Sequence, residues 1–110
     1  MIQSITSLEE FNKKRINLPG VLFYFSHKKC AVCKVLKPKI YDMLQTNFQK
    51  FEMFYCDTEL YPEISGQNSI FTVPTILVFF EGKEFLRKSR NIGIEELRNE
   101  LDRTYSLFFD

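Results

Sequence analysis

Two cysteines three positions apart are the residues best placed to do chemistry. Cys30 and Cys33 lie between an apolar run and the start of a helical apolar pattern. A Cys-x-x-Cys pair at such a strand-to-helix turn is typical of dithiol–disulfide exchange. Cys33 falls on the apolar stripe of the predicted helix, so we expect it to be more buried than Cys30. The spacing predicts that Cys30 attacks a disulfide and that Cys33 then attacks Cys30.

The surroundings of the pair are basic. Lys28, Lys29 and Lys34 flank it, and a helix N-terminus adds unpaired N–H groups and a partial positive charge. Both favour the thiolate of Cys30 over the thiol, whose ordinary pKa is about 8.5. We therefore predict a lowered pKa for Cys30, within the range of about 3.5 to 7.5 that such surroundings produce. His27 is interpreted as a loop residue.

Metal binding is the alternative chemistry for the same cysteines. Cys30 and Cys33 supply two ligands, whereas a closed zinc site needs four. His27 and Cys56 are the only other Cys or His residues, and Cys56 is expected to pack as a small apolar residue. We therefore expect neither a metal nor a cofactor, although a monomeric zinc site or a metal shared by two subunits stays a weaker alternative.

Composition limits the class of protein. The length of 110 residues predicts one domain, spanning 1–110. The formal net charge of +1 disfavours a general nucleic-acid-binding protein. The apolar runs are too short to span a membrane, and we expect no signal peptide. We therefore expect a protein that binds neither nucleic acid nor membrane. An odd number of cysteines does not suit a secreted disulfide framework, so we expect the protein to be cytoplasmic.

The strand before the cysteines is predicted to be central. Val21–Phe25 is a continuous apolar run bounded by Pro19-Gly20, which indicates burial on both faces. The helix after it contains Pro38, which removes one backbone donor. The whole pattern predicts an α/β fold with the order β-α-β-α-β-α-β-β-α, a mixed central sheet and helices on both faces. The other predicted elements are strands at Ile2–Ile5, Phe51–Cys56, Thr75–Phe80 and Lys83–Lys88, and helices from Ser7 to about Ile16, within 57–67 and after Gly93.

In combination these features resemble the thioredoxin family. The Cys-Ala-Val-Cys motif of residues 30–33 follows a central strand, and Pro38 lies eight positions past its first cysteine. Thr72–Thr75 (Thr-Val-Pro-Thr) precedes the last two strands, and Phe80–Lys83 (Phe-Glu-Gly-Lys) resembles the family's hairpin turn. The resemblance covers essentially the whole chain. It implies the thioredoxin fold, a cis peptide bond before Pro74, and thiol–disulfide oxidoreductase activity on protein disulfides.

The resemblance also implies the partners. An extended segment of a disulfide-containing protein would pair with backbone beside the cis-proline, in the manner of an added strand. The implied substrate-binding residues are Lys29, Ala31, Val32, Val73 and Pro74. A reductase or a small thiol would act as electron donor, and we expect the chain to be a monomer.

The sequence departs from the family pattern around the motif. Lys29 replaces the family's tryptophan, and Tyr24 replaces a buried acid on the central strand. Met53 takes the position of that acid's lysine partner, and Arg90 that of a glycine near the site. Lys29 and Arg90 would add positive charge beside an apolar patch, which suggests substrates with acidic residues beside their disulfide.

Two consequences follow from these departures. Without a buried carboxylate to take the proton of Cys33, the resolving step must rely on water or on the Tyr24 hydroxyl. We therefore predict weaker disulfide reductase activity than a thioredoxin with that carboxylate shows. The same departures leave open a second class of function, a binding module that keeps the fold and makes little use of its cysteines.

Overall fold

Five strands form one mixed sheet in a computed structural model, which describes residues 2–109. The strand order is β1-β3-β2-β4-β5, with β1, β3 and β2 parallel and with β4 antiparallel to both β2 and β5. The predicted α/β class, element order and mixed sheet are thereby confirmed. The elements are β1 (Gln3–Ser4), α1 (Leu8–Asn17), β2 (Gly20–Ser26), α2 (Ala31–Asn47), β3 (Glu52–Asp57), α3 (Pro62–Gln67), β4 (Thr75–Phe80), β5 (Lys83–Ser89) and α4 (Ile94–Phe109).

β2 is the central strand, as its apolar run predicted. Both of its edges are paired, and all seven of its residues are buried. Leu22 and Tyr24 point into one apolar cluster, while Phe23 and Phe25 point into a second cluster on the other face. A strand buried on both faces is held rigidly, and it ends at Ser26, where the cysteine loop begins.

Two helices cover each face of the sheet. α2 and α4 contribute Ile40 and Leu101 to the cluster that contains Cys33. α1 and α3 contribute Phe11 and Ile64 to the other cluster, in which the rings of Phe11 and Phe23 lie 4.2 Å apart. In the described range, 2–109, no helix is long and apolar enough to cross a membrane.

Four of the five predicted strands differ in their bounds, β2 by one residue at each end and β5 by one residue at its end. β1 is two residues long, although Ile5 still donates its amide to the Tyr55 carbonyl at 2.8 Å. β3 begins at Glu52 rather than Phe51, because the Phe51 amide donates to the Phe48 carbonyl at 3.0 Å and so belongs to the preceding turn.

The predicted hairpin between β4 and β5 is confirmed. Glu81 and Gly82 have φ values of 52° and 80° and join the paired residues Phe80 and Lys83. Positive φ at both central positions is the two-residue turn whose twist suits a β-hairpin.

Side-chain contacts fix the first turns of α1 and α4. The Ser7 hydroxyl accepts from the Glu10 amide at 3.0 Å, but the Glu10 carboxylate accepts from the Thr6 amide and not from that of Ser7. At the start of α4, the Glu96 carboxylate pairs with Lys88 at 2.5 Å. The reason is that β5 brings this lysine within reach of the first turn of α4.

Candidate active site

Cys30 is the N-cap residue of α2. Its backbone is extended, and its Sγ accepts a hydrogen bond from the Cys33 amide at 3.2 Å. Its carbonyl accepts from the Lys34 amide at 3.3 Å. The sulfur therefore faces N–H groups that have no partner within the helix, and these stabilise a negative charge. The first turn of α2 contains no acidic residue to oppose that effect.

Cys30 and Cys33 are joined by a disulfide bond, with their Cα atoms 5.3 Å apart. Cys33 is 1% exposed, whereas Cys30 is only half-buried. Cys30 is thus the more exposed of the two, as its position in the helix predicted. A disulfide partner can approach the first sulfur, and the second lies behind it within bonding distance.

Tyr24 lies against the buried cysteine. Its side chain is fully buried, and its hydroxyl donates to the Cys33 carbonyl at 2.7 Å. Burial, with a smaller contribution from Tyr55, raises the pKa of Tyr24, so the hydroxyl stays protonated and acts as a donor. Met53, at the other position where the family has a charge, is buried in the same cluster. A neutral hydroxyl therefore stands where the family has a carboxylate.

The loop before β4 carries the predicted cis bond, between Val73 and Pro74. Thr75 fixes this loop, because its hydroxyl lies 2.7 Å from the Thr72 carbonyl and 3.0 Å from the Ser89 hydroxyl. Val73 is half-buried and packs against the cluster that contains Cys33. Sequence reasoning missed the role of Thr75, although a threonine that opens a strand after proline was visible.

The loop between β5 and α4 completes this side of the site. Arg90 has a left-handed backbone with φ 62°, and its amide donates to the Pro74 carbonyl at 2.8 Å. One lone pair of that carbonyl is therefore occupied within the protein, whereas Val73 is partly exposed beside it. A groove of about 360 Å³ runs beside the motif between α2 and this loop, and its lining residues are Val32, Leu36, Arg90, Asn91, Ile92 and Gly93.

The residues before the motif form an ordered loop. The Lys29 amide donates to His27 Nδ1 at 3.2 Å, and the Cys30 amide donates to the His27 carbonyl at 3.3 Å. His27 thus shapes the turn, and the side chain of Lys29 is exposed. Phe71 is 86% exposed beside a second cavity of about 220 Å³ that His27 also lines. The sequence had not pointed to Phe71, since an exposed phenylalanine follows from no periodic pattern.

The third cysteine lies apart from the pair. Cys56 is 1% exposed and packs in the cluster with Phe25, on the opposite face of the sheet from Cys33. Burial raises the pKa of Cys56. It therefore packs as the small apolar residue predicted and cannot join the pair in a four-ligand site. Within residues 2–109, no group of three or more His, Cys, Asp or Glu side chains could hold a metal ion.

Comparison with known proteins agrees with this geometry. The thioredoxin family model matches residues 3–103. The thioredoxin-like protein YdfQ of Bacillus subtilis is 32% identical over 107 residues, which cover 97% of this chain and 92% of that protein. Thioredoxin 1 of Thermosipho africanus is 30% identical, with a TM-score of 0.73 over 79% of this chain and 96% of its own. Plasmodium falciparum thioredoxin, 20% identical, has a TM-score of 0.82 over 93% of this chain and 98% of its own.

The chain belongs to the thioredoxin family. Its cysteine pair, Cys30 and Cys33, lies at disulfide distance in the position that the family motif predicts. In general terms the protein is therefore a thiol–disulfide oxidoreductase.

Proposed function

We propose that the protein reduces disulfide bonds in other proteins, with Cys30 as the attacking thiol and Cys33 as the resolving thiol. The observation that carries this proposal is the half-buried Cys30 sulfur at the N-cap of α2, bonded to a buried Cys33. An exposed thiolate stabilised by a helix N-terminus is the reactive form of cysteine. The second sulfur, behind the first, can attack the mixed disulfide and release the substrate.

The reaction transfers two electrons from the cysteine pair to the substrate. The Cys30 thiolate attacks one substrate sulfur and forms a mixed disulfide, and the other substrate sulfur leaves as a thiolate that takes up a proton. Cys33 then loses its proton and attacks Cys30. This forms the intramolecular disulfide and releases the second substrate sulfur. A reductase or a small thiol then supplies two electrons that reduce the disulfide between Cys30 and Cys33.

The residues around the sulfurs form the proposed substrate-binding surface. Ala31 and Val32 are exposed on the first turn of α2, and Val73 is partly exposed on the neighbouring loop. Pro74 is buried and contributes by fixing the direction of that loop. Lys29 flanks the surface on the other side of Cys30. An extended segment lying between them would bring its disulfide to the Cys30 sulfur.

Tyr24 limits the resolving step in this proposal. Because its hydroxyl remains protonated, it cannot accept the proton that Cys33 must lose, so water takes it. We therefore expect slower disulfide reduction than by a thioredoxin that has a buried carboxylate at this position.

We also propose that residues 1–110 act as one domain and as a monomer. The odd number of cysteines favours a reducing, cytoplasmic setting.

Insulin reduction with dithiothreitol as electron donor tests the proposal. The wild-type protein should accelerate precipitation of the insulin B chain, and Cys30→Ser should remove the acceleration. Cys33→Ser should lose turnover, and when it is first reduced and then freed of dithiothreitol it should accumulate a mixed disulfide with insulin at Cys30, visible by mass spectrometry. Cys56→Ala is the matched control and should keep the wild-type rate. A wild-type rate no higher than that of dithiothreitol alone would instead support a binding module.

A further inference from the structure

Positive charge is concentrated at the active site. Residues 27–41 contain five lysines and no acidic residue. Because the whole chain has a formal net charge of +1, the other residues together carry −4. Positive charge is therefore concentrated in this segment, although the protein as a whole is close to neutral. A local potential of this kind attracts anionic partners to one place.

Three of these lysines and one arginine surround Cys30. Lys29 and Lys28 are exposed one and two residues before Cys30, and Lys34 is exposed one helical turn after it. Arg90 reaches the same region from the β5–α4 loop, where it lines the groove. Neighbouring residues in a turn are separated by less than the Debye length of about 8 Å at physiological ionic strength. Their charges therefore act together on a molecule bound at the sulfur.

These charges are not neutralised by the protein itself. Within residues 2–109, none of the ion pairs involves Lys28, Lys29, Lys34 or Arg90. In contrast, Lys88, which lies close to Arg90 in the chain, pairs with both Glu96 and Glu100. The cations around the sulfur are thus available to a partner.

Acidic side chains lie on the other side of the cysteine loop. Asp57 ends β3 opposite Ser26, and its buried carboxylate accepts from the amides of Glu59 and Leu60 at 2.9 Å. Glu59 itself is exposed. Carboxylates therefore lie near the end of β3, whereas unpaired cations lie around Cys30 and along the groove.

We propose that the site selects disulfides with acidic residues next to them on the substrate, which face Lys29 on one side of Cys30 and Arg90 on the other. This inference rests on the proposed function and names its substrate class. The acidic side chains face unpaired cations, while basic ones meet like charge that raises the energy of the encounter complex. The attacking thiolate repels acidic residues, and the surrounding lysines offset that repulsion.

Three peptides with the same internal disulfide test the inference, one flanked by Asp, one by Asn and one by Lys. The reduced protein is mixed with each peptide, and the second-order rate constant is measured in about 20 mM and about 500 mM salt. In low salt we expect the Asp peptide to react about tenfold faster than the Lys peptide. In high salt the two rates should converge, because the charges are screened.

Charge reversal locates the effect. Lys29→Glu and Arg90→Glu should each bring the ratio of the Asp and Lys peptides to about one or below. Lys83→Glu makes the same change in net charge at the far end of β5, about 20 Å from Ser89 at the rise of a strand, and should leave the ratio unchanged. Arg90→Gln, which removes the charge without reversing it, should give an intermediate ratio.

The outcomes distinguish a failure of the proposed acidic preference from a failure of the proposed reductase function. If none of the three peptides is reduced, the proposed function is wrong. If all three are reduced at equal rates in low salt, the function stands and the inference is overturned. An acidic preference that persists in both Lys29→Glu and Arg90→Glu also overturns it, since the selecting charges would then lie elsewhere.

Discussion

Cys30 and Cys33 differ in what surrounds them. Cys30 Sγ accepts an N–H from the start of α2, whereas Cys33 is buried in an apolar cluster. The first environment stabilises a thiolate and the second destabilises one. This difference supports the attacking role that we propose for Cys30, and the short distance between the two cysteines would let Cys33 complete the reaction.

Tyr24→Phe should weaken the resolving step. The change removes the hydroxyl that donates to the Cys33 carbonyl and costs about 1 kcal/mol of stability, the usual size of such a bond. It also loosens the start of α2, so Cys33 attacks less often. We expect release of the second substrate thiol to slow several-fold while formation of the mixed disulfide is unchanged, as measured by rapid acid quench and mass spectrometry.

Tyr105→Phe is the matched control for that change. Its hydroxyl accepts from the Lys50 amide at 3.1 Å in a part of the protein formed by the ends of α2 and α4. The substitution should lower stability without slowing the release of the second thiol. Equal slowing in both variants would show that general loosening, and not the bond to Cys33, explains the effect.

At the scale of the elements, the β5–α4 loop contains one residue, Arg90, that both holds a neighbouring loop and lines the groove. Arg90 has φ 62°, a backbone conformation that costs a residue other than glycine about 1 kcal/mol. Its amide holds the cis-proline loop, and its side chain lines the groove. A residue other than glycine in this conformation beside the candidate site agrees with the role in substrate binding that we propose for its side chain.

Arg90→Gly should therefore raise the free energy of unfolding by about 1 kcal/mol, because glycine adopts positive φ without strain. Urea denaturation followed by circular dichroism measures this gain. Arg90→Gln loses the charge but keeps the Cβ atom, so its stability should stay close to that of the wild type. A loss of stability in Arg90→Gly would show that contacts of the arginine side chain outweigh the backbone strain.

At the scale of the whole molecule, burial governs the response to alkaline pH. The pKa of the Cys56 thiol is raised by burial, compared with about 8.5 in an unfolded chain. Above that pH the unfolded state releases a proton that the folded state keeps. The stability contributed by the neutral thiol is fully present below pH about 8.5 and is lost as pH rises beyond it.

We therefore expect the stability of the oxidised protein to fall between pH 8.5 and 9.5 by about 1 kcal/mol more in the wild type than in Cys56→Ala. The oxidised form is used because Cys30 and Cys33 do not titrate in it. Urea denaturation at each pH gives the two slopes. Parallel slopes would mean that Cys56 ionises in the folded protein, against its burial.

The sequence predicted the central strands of this molecule better than the contacts between segments that are distant in the chain. The bounds of β4 and the central place of β2 follow from apolar runs, and the cis bond before Pro74 follows from the family resemblance. The bond from Tyr24 to Cys33 could not be predicted, because it depends on how closely β2 and α2 approach. Two further features were missed, the hydrogen bonds of the Thr75 hydroxyl and the left-handed backbone of Arg90. Each depends on contacts between segments distant in the chain.

The central claim, that Cys30 is held as a thiolate at the start of α2, is tested most directly by alkylation of the reduced protein. Iodoacetamide is added over a range of pH, and the rate at each cysteine is measured by peptide mass spectrometry. We predict a midpoint for Cys30 below pH about 7.5, with Cys33 and Cys56 reacting far more slowly. A Cys30 midpoint at pH about 8.5 or above, or faster alkylation of Cys33, would contradict the claim.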